Sequence, residues 1–343
     1  MHLGRLFRRS VDIGIEHDVR GRKEIERLLE EEKTKAEGKN GLEKEMINEE
    51  RFWNPFHDTQ ILTGREDDDV EILFTGIDVD VPQILVANEL RKSGEKIDAL
   101  LLHHPQGRAS VELAKDMRLQ VEMHRQYGVP VVHAEQEIES SIEKTYRGSH
   151  SDNIFEWQRT AELLKFPGLC VHTPADNLVY QFFARAIATR EFDSVGEVVS
   201  AILEQPEFRH FAENGLPPLL VNCSDRSRTG RIAPTGISGG TGGPDSFIRE
   251  QAAAGIGTII SMHTSDSYAA LAKEHHVNII QVNHYAADGM GMNLLLDLLT
   301  EEDPKIRAFE GCGFKRFPRK KKDRAFLENA EEEGDRSPSC RKR

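Results

Sequence analysis

Cysteine is scarce: Cys170, Cys223, Cys312 and Cys340 are the only four in 343 residues, and no two stand at C-x-x-C spacing. That excludes a disulfide framework and a thiolate zinc site, and it points to the reducing cytoplasm. Long apolar runs are missing too, none approaching the roughly 20 residues a membrane helix needs. The basic N-terminus MHLGRLFRRSVDIGIEHD has neither the apolar core nor the small-residue cleavage site of a signal peptide. Positive charge is in deficit. A net charge of -13 is a poor footprint for phosphate backbones, so general nucleic-acid binding is excluded, leaving only the basic block KRFPRKKKDR (315–324) as a route to nucleic acid, an acidic partner or anionic lipid. No G-x-x-x-x-G-K-[ST] occurs, so the glycine-rich GISGGTGGPDSF is no P-loop and reads as a tight strand-to-helix turn.

What is present is a β-α-β rhythm. VEILFTGID (70–78) is rich in β-branched and aromatic residues. Asp80 then stands at a helix N-cap with Pro82 in the first turn, and Gly94 follows as a C-cap. IDALLLHH is apolar through its middle, as in a parallel strand covered on both faces. A helix through ASVELAKDMRLQVEMHRQY and a strand VPVVHAE follow, then polar helical sequence over 136–166. A second series runs through FIREQAAAG, GIGTIISMH, YAALAKEHH and VNIIQVNHYAAD. These patterns predict an α/β fold of two lobes, 51–205 and 206–310. Residues 1–50 read as a charged helical extension and 311–343 as a charged, disordered tail.

Six of the 14 histidines close apolar strands in this reading: His103, His104, His133, His172, His263 and His284. Ligands of open α/β sheets gather outside the carboxyl ends of the strands, so these rings would converge on one crevice. HTPAD sets Asp176 four residues after His172, and HYAAD sets Asp288 four residues after His284. Four residues make one helical turn, which brings imidazole and carboxylate to the same face. Imidazole plus carboxylate without thiolate suits Zn, Fe, Mn or Co. Adjacent side chains on a strand point to opposite faces, so His103 and His104 serve one site only if the strand stops, as Pro105 implies. Two such units and a His-His pair exceed the needs of one tetrahedral ion and suit two ions that share a carboxylate. Taken singly, each element has a structural use. Asp176 or Asn177 can cap a helix, Asp288 can serve a turn, and His275 and His276 sit at a helix C-terminus. His133 and His263 have no carboxylate at ligand spacing and read as supporting or core groups, candidates for a general base on position alone.

The order LLHHPQG, VHTPADN, a GG-x-GG turn and NHYAADGMGMN, preceded by WNPFHDTQILTG, resembles the Nif-three-like family, also labelled GTP cyclohydrolase I type 2 homologues, over about residues 50–300. The resemblance implies two interlocked α/β lobes with mixed sheets and a dinuclear metal site in the cleft between them. It implies His103, His104, Asp176, His284 and Asp288 as ligands of two divalent ions, with His172 as a sixth or supporting group. It also implies a hexameric homo-oligomer. The family has glutamate where Asp288 stands, one methylene longer. The activity implied is hydrolytic, a metal-activated water attacking a nucleotide or other small molecule, GTP in the literal sense of the label. The rival expectation is a non-catalytic, metal-stabilised oligomeric scaffold or regulator.

Overall fold

The computed structural model describes residues 1–240, 243–311 and 313–328. The strands are β1 (Gln60–Thr63), β2 (Ile72–Gly76), β3 (Ala99–Leu102), β4 (Gly168–Cys170), β5 (Leu219–Val221), β6 (Arg231–Gly236), β7 (Ile256–Ser261), β8 (Asn278–Gln281) and β9 (Arg307–Glu310). They form two mixed sheets, β1-β4-β3-β2-β9 and β5-β8-β7-β6. In each, one edge strand (β1 or β5) is antiparallel and the other pairings are parallel. The α/β architecture of two lobes with mixed sheets is therefore as the sequence patterns predict.

The lobes interlock more closely than a linear division allows. β9, at the end of the second lobe in sequence, returns to pair with β2 in the first sheet, so 206–310 is not one spatial unit. One apolar core holds Leu73 and Leu101 from the first sheet, Ile260 and Ile280 from the second, and Leu294 from the helix His284–Glu302. That helix is buried almost continuously from Ala286 to Asp297, as an all-round apolar helix must be. It crosses the helix Thr173–Gln181 of the first lobe at a glycine: a Cβ on Gly291 would lie 2.5 Å from the Ala175 carbonyl oxygen.

Three sequence expectations need correction. The segment 1–50 is not all extension: Leu3, Leu6, Phe7 and Val11 form one buried stripe of the helix Leu3–Glu16, at i, i+3, i+4 and i+8. The following charged helix, Arg22–Glu37, is solvated, with Ile25 its single buried residue, and the short helix Leu42–Glu45 buries nothing. VPVVHAE is not a strand. Pro130 caps the helix Val131–Ser149, because the helix formers of EQEIESSIEK outweigh the two valines of its first turn. ASVELAKDMRLQVEMHRQY forms two helices, Arg108–Asp116 and Leu119–Gln126.

The basic block is also no free tail over its described part. Arg319 grips the buried Glu207, Arg316 bonds Asp297 and Asn293, and Phe314 and Leu327 are buried. Lysines 320–322 alone of that stretch face outward as a run. The remainder of the expected tail, 329–343, lies outside the described residues.

His124 carries a pH signature of this packing. It is buried, donates Nδ1–H to the Gln120 carbonyl at 2.8 Å and stacks on Phe247 with ring centroids 3.9 Å apart. Burial depresses its pKa from 6.5 to about 4. Above pH 6.5 both the folded and unfolded forms are neutral and this contribution is fully present. As pH falls toward 4 the unfolded chain takes up a proton that the folded site refuses, and stability is lost, in total roughly 3 kcal/mol. Urea unfolding at pH 7 and pH 5 is expected to show a steeper loss for the wild type than for His124→Leu.

Candidate metal centre

β3 ends at Leu102, and the next two amides do something a regular strand does not. His103 N–H and His104 N–H donate to the consecutive carbonyls of Gly76 and Ile77, at 3.1 and 3.0 Å. In a parallel strand, alternate amides face alternate neighbours. Two successive bonds to one neighbour turn the backbone, and both rings come to the same side, with centroids 5.2 Å apart. The steric puzzle of adjacent histidines is resolved there.

Both rings meet Asp288. Asn283 caps the helix His284–Glu302, its side chain accepting from Ala286 N–H, so His284 is the first helical residue and Asp288 lies one turn on. Asp288 Oδ2 is 3.1 Å from His104 Nε2 and 3.2 Å from His284 Nε2, whereas Oδ1 is 3.6 Å from His103 Nε2. The second His-x-x-x-Asp unit adds Asp176, whose Oδ1 is 3.4 Å from His103 Nε2, and His172, 4.0 Å from the Asp176 Oδ2. All five predicted residues are thus brought together, with His172 beside them. His103, Asp176 and Asp288 form one group of close ligand atoms, His104, His284 and Asp288 another, and His103, His104 and His172 a third.

Buried His and Asp groups of this kind could hold a metal, and two observations fit them to one. His103 Nε2, Asp176 Oδ1 and both Asp288 oxygens are buried without a hydrogen-bond partner, an arrangement that is costly unless something else satisfies them. The spacings of 3.1–3.6 Å match those of two ligands each about 2.0–2.2 Å from a common ion, roughly 3.4 Å in a tetrahedron.

The ring orientations are held from behind, as in carboxylate–histidine–metal arrangements. His104 Nδ1 bonds Asp78 Oδ1 at 2.6 Å, and the other Asp78 oxygen takes the Tyr285 hydroxyl. His172 Nδ1 bonds Asp58 Oδ2 at 2.8 Å, and Asp58 also accepts from the Thr173 hydroxyl and amide. His103 Nδ1 donates to the Val171 carbonyl at 3.3 Å. Each bond leaves Nε2 as the atom turned toward the carboxylates.

Electrostatics follow the geometry. Burial alone would lower the His103 pKa, but Asp288 and then Asp176 raise it to about 10, so a metal at this ring would compete with a proton. Burial likewise opposes ionisation of Asp288, yet the His103, His104 and His284 rings hold its carboxyl far below the usual range. His284, with burial dominant, is lowered to about 4. Burial works to raise the Asp78 pKa, but the Tyr285 hydroxyl and the His104 ring bring it below its ordinary value.

Of the two general-base candidates, His263 reaches the centre, its ring 4.4 Å from that of His284. His133 does not. It lies exposed at the start of a helix and pairs with Glu250 at 2.8 Å, because the segment that carries it is not a strand. Asp58 and Asp78 were not among the expected site residues. Asp58 sits in WNPFHDTQILTG, and Asp78 closes a strand as the histidines do. The same strand-end argument applied to carboxylates would have found Asp78.

No protein-family model and no curated protein matches the sequence. Among solved structures, the NIF3 superfamily protein from Sphaerobacter thermophilus is 22% identical, covers 75% of this chain and 92% of its own, and superposes with a TM-score of 0.64. The chain shares the fold of that protein. Weaker matches are reduced HcgD from Methanocaldococcus jannaschii (13% identity, 74% of this chain and 87% of that one, TM-score 0.43) and a Bacillus cereus protein related to NIF3 (9%, 73%, 88%, 0.41). Within this fold, the cluster lies where the β3 end, the helix Thr173–Gln181 and the helix His284–Glu302 converge, so both lobes contribute. No helix among the described residues is long and apolar enough to cross a membrane.

Asp78 gives a direct test of the supporting groups. Asp78→Ala is expected to weaken metal binding by about 10–100-fold, measured by competition with a chromophoric chelator. Thermal stability of the metal-free protein should change little, because Asp78 is only partly buried.

Proposed function

We propose that the centre holds two divalent ions, one at His103, Asp176 and Asp288 and the other at His104, His284 and Asp288, with His172 completing the first group, and that the protein is a metal-dependent hydrolase of small molecules. The observation that carries this reading is Asp288, whose two oxygens face separate sets of histidines from a fully buried position. Bound there, Zn, Fe, Mn or Co would lower the pKa of water toward 7 and polarise an electrophilic carbon or phosphorus centre. The chain's own part is positioning. Asp78 and Asp58 fix the rings of His104 and His172, the shared carboxylate sets the distance between the two halves of the site, and burial of His103 and Asp176 keeps bulk water from competing. His263 borders the site without a ligand role and is the base candidate that position favours. The same reading places the protein in the cytoplasm as a homo-oligomer.

Metal analysis with turnover assays on nucleotides, phosphoesters and cyclic amides, wild type against Asp176→Ala, tests it. Bound metal and a turnover that both disappear in the variant are the expected result. Metal that is lost from the variant without loss of any measurable turnover would sink the catalytic reading and leave a metal-stabilised scaffold.

A further inference from the structure

Beside the metal centre lies a cavity of about 170 Å³ that none of the predicted ligands lines. It opens at the carboxyl ends of the parallel strands β6 and β7, where ligands of such sheets bind. Gln120 and His124 of the helix Leu119–Gln126 wall one side, Phe247 and Tyr268 add aromatic surface, and Asp245 lies between them. His263 belongs both to this wall and to the border of the metal centre, through its ring contact with His284. We propose that this cavity is the substrate pocket of the metal centre and takes a small, uncharged, N–H-bearing ring of the cyclic amide or imide class, while excluding phosphorylated nucleotides. The proposal rests on the two-ion hydrolytic reading for its link to chemistry and for the exclusion of a cationic ligand, but not for binding of the uncharged ring itself.

Three features select that class. The first is charge. No lysine or arginine is among the lining residues, whose one carboxylate, Asp245, repels phosphate. An ammonium group would suit Asp245 but would be repelled by two divalent ions one side chain away, which leaves an uncharged ligand.

The second is the hydrogen-bond inventory of the wall. Four lining donors are already committed to protein acceptors. Gln120 Nε2–H goes to the Gly239 carbonyl, Thr235 O–H to Gln251, Ser261 O–H to the His263 carbonyl and Ser265 O–H to Asp245. What these groups leave over are acceptors, namely hydroxyl lone pairs and the Asp245 carboxylate. His124 adds one more, since its Nδ1–H is spent on the Gln120 carbonyl and burial keeps the ring neutral. The Tyr268 hydroxyl and the ring N–H of His263 add donors to the same wall, so the pocket selects a ligand that both donates and accepts, as the N–H and carbonyl of a cyclic amide do.

The third is size. The volume falls below the roughly 300–1,000 Å³ typical of drug-sized ligand pockets, which suits a single small ring and not a nucleoside triphosphate.

The test uses the full chain, metal-free and zinc-loaded, with 5,6-dihydrouracil and hydantoin as probes and GTP and inorganic phosphate as competitors, read by calorimetry and ligand-observed NMR. Both probes are expected to bind either form, and neither GTP nor phosphate to displace them. Asp245→Asn is expected to weaken both probes by about tenfold while zinc content stays at the wild-type level. The amide oxygen can still accept from one of the Ser265 and Ser267 hydroxyls and the amide N–H can donate to the other, so the fold should persist, and thermal melting checks that it does. A wild-type crystal soaked with dihydrouracil provides a second reading that needs no variant, and density against Asp245 and His124 is expected. Failure of both probes to bind at millimolar concentration, displacement by GTP, or density elsewhere overturns the pocket assignment. Probe binding in a protein that never takes up zinc would instead uphold the pocket and overturn the hydrolytic reading, so the two failures are separable.

Discussion

Asp288→Asn is expected to strip the centre of both ions at once, weakening metal binding by more than about 100-fold, beyond the range of losses seen when a supporting group is removed. The substitution keeps the size and one oxygen but removes the charge. Asp288 Oδ1 faces His103 and Oδ2 faces His104 and His284, so no other described residue belongs to both of the carboxylate-containing groups. Asp176→Asn should differ in kind. Asp176 belongs to only one of those groups, so one ion should weaken sharply and the other less. Metal-to-protein ratios after dialysis against a buffered chelator distinguish the two outcomes. Equal behaviour of both variants would mean that the carboxylates do not divide the site as their positions indicate.

The second large effect is on stability. Arg319→Ala is expected to cost about 3–5 kcal/mol, measured by urea unfolding of the metal-free protein. Arg319 donates to both oxygens of Glu207, one at 2.7 Å, and Asn293 donates to the same carboxylate at 2.9 Å. Both partners are nearly inaccessible, with side chains 5% and 2% exposed. Removing the guanidinium leaves a buried carboxylate with only an amide to satisfy it. Replacing the pair together, as Arg319→Met with Glu207→Leu, should recover most of the loss, because the desolvation cost of both charges disappears with their attraction. If the single variant is as stable as wild type, the segment 313–328 does not pack against the body in solution.

Local sequence made the site legible where one turn of helix sufficed. His284 and Asp288 are four apart and meet at 3.2 Å because the chain leaves β8 directly into a helix capped by Asn283. Asp80 caps its helix as the motif predicts, accepting from Gln83 N–H at 3.3 Å. The His103–His104 pair was readable as a strand break, but not how it breaks, since two successive amides bonding one neighbour is a tertiary feature. What failed was whatever depended on a partner far away in sequence. The arginines of KRFPRKKKDR look solvated until Glu207 and Asp297 are placed against them across about a hundred residues and about twenty. VPVVHAE has strand composition, and only the helix-forming residues after it reverse that. Of the six histidines read as closing strands, His133 is therefore the one that stands in a helix with no strand before it. The helix Leu3–Glu16 was readable by its apolar stripe, which the neighbouring charged run masked.

Anomalous diffraction from crystals of the zinc-loaded protein tests the central claim most directly. Two peaks about 3.5–4 Å apart, one on each side of Asp288, are the predicted result. A single peak, or peaks away from Asp288 with its oxygens satisfied by protein groups, would contradict the two-ion centre.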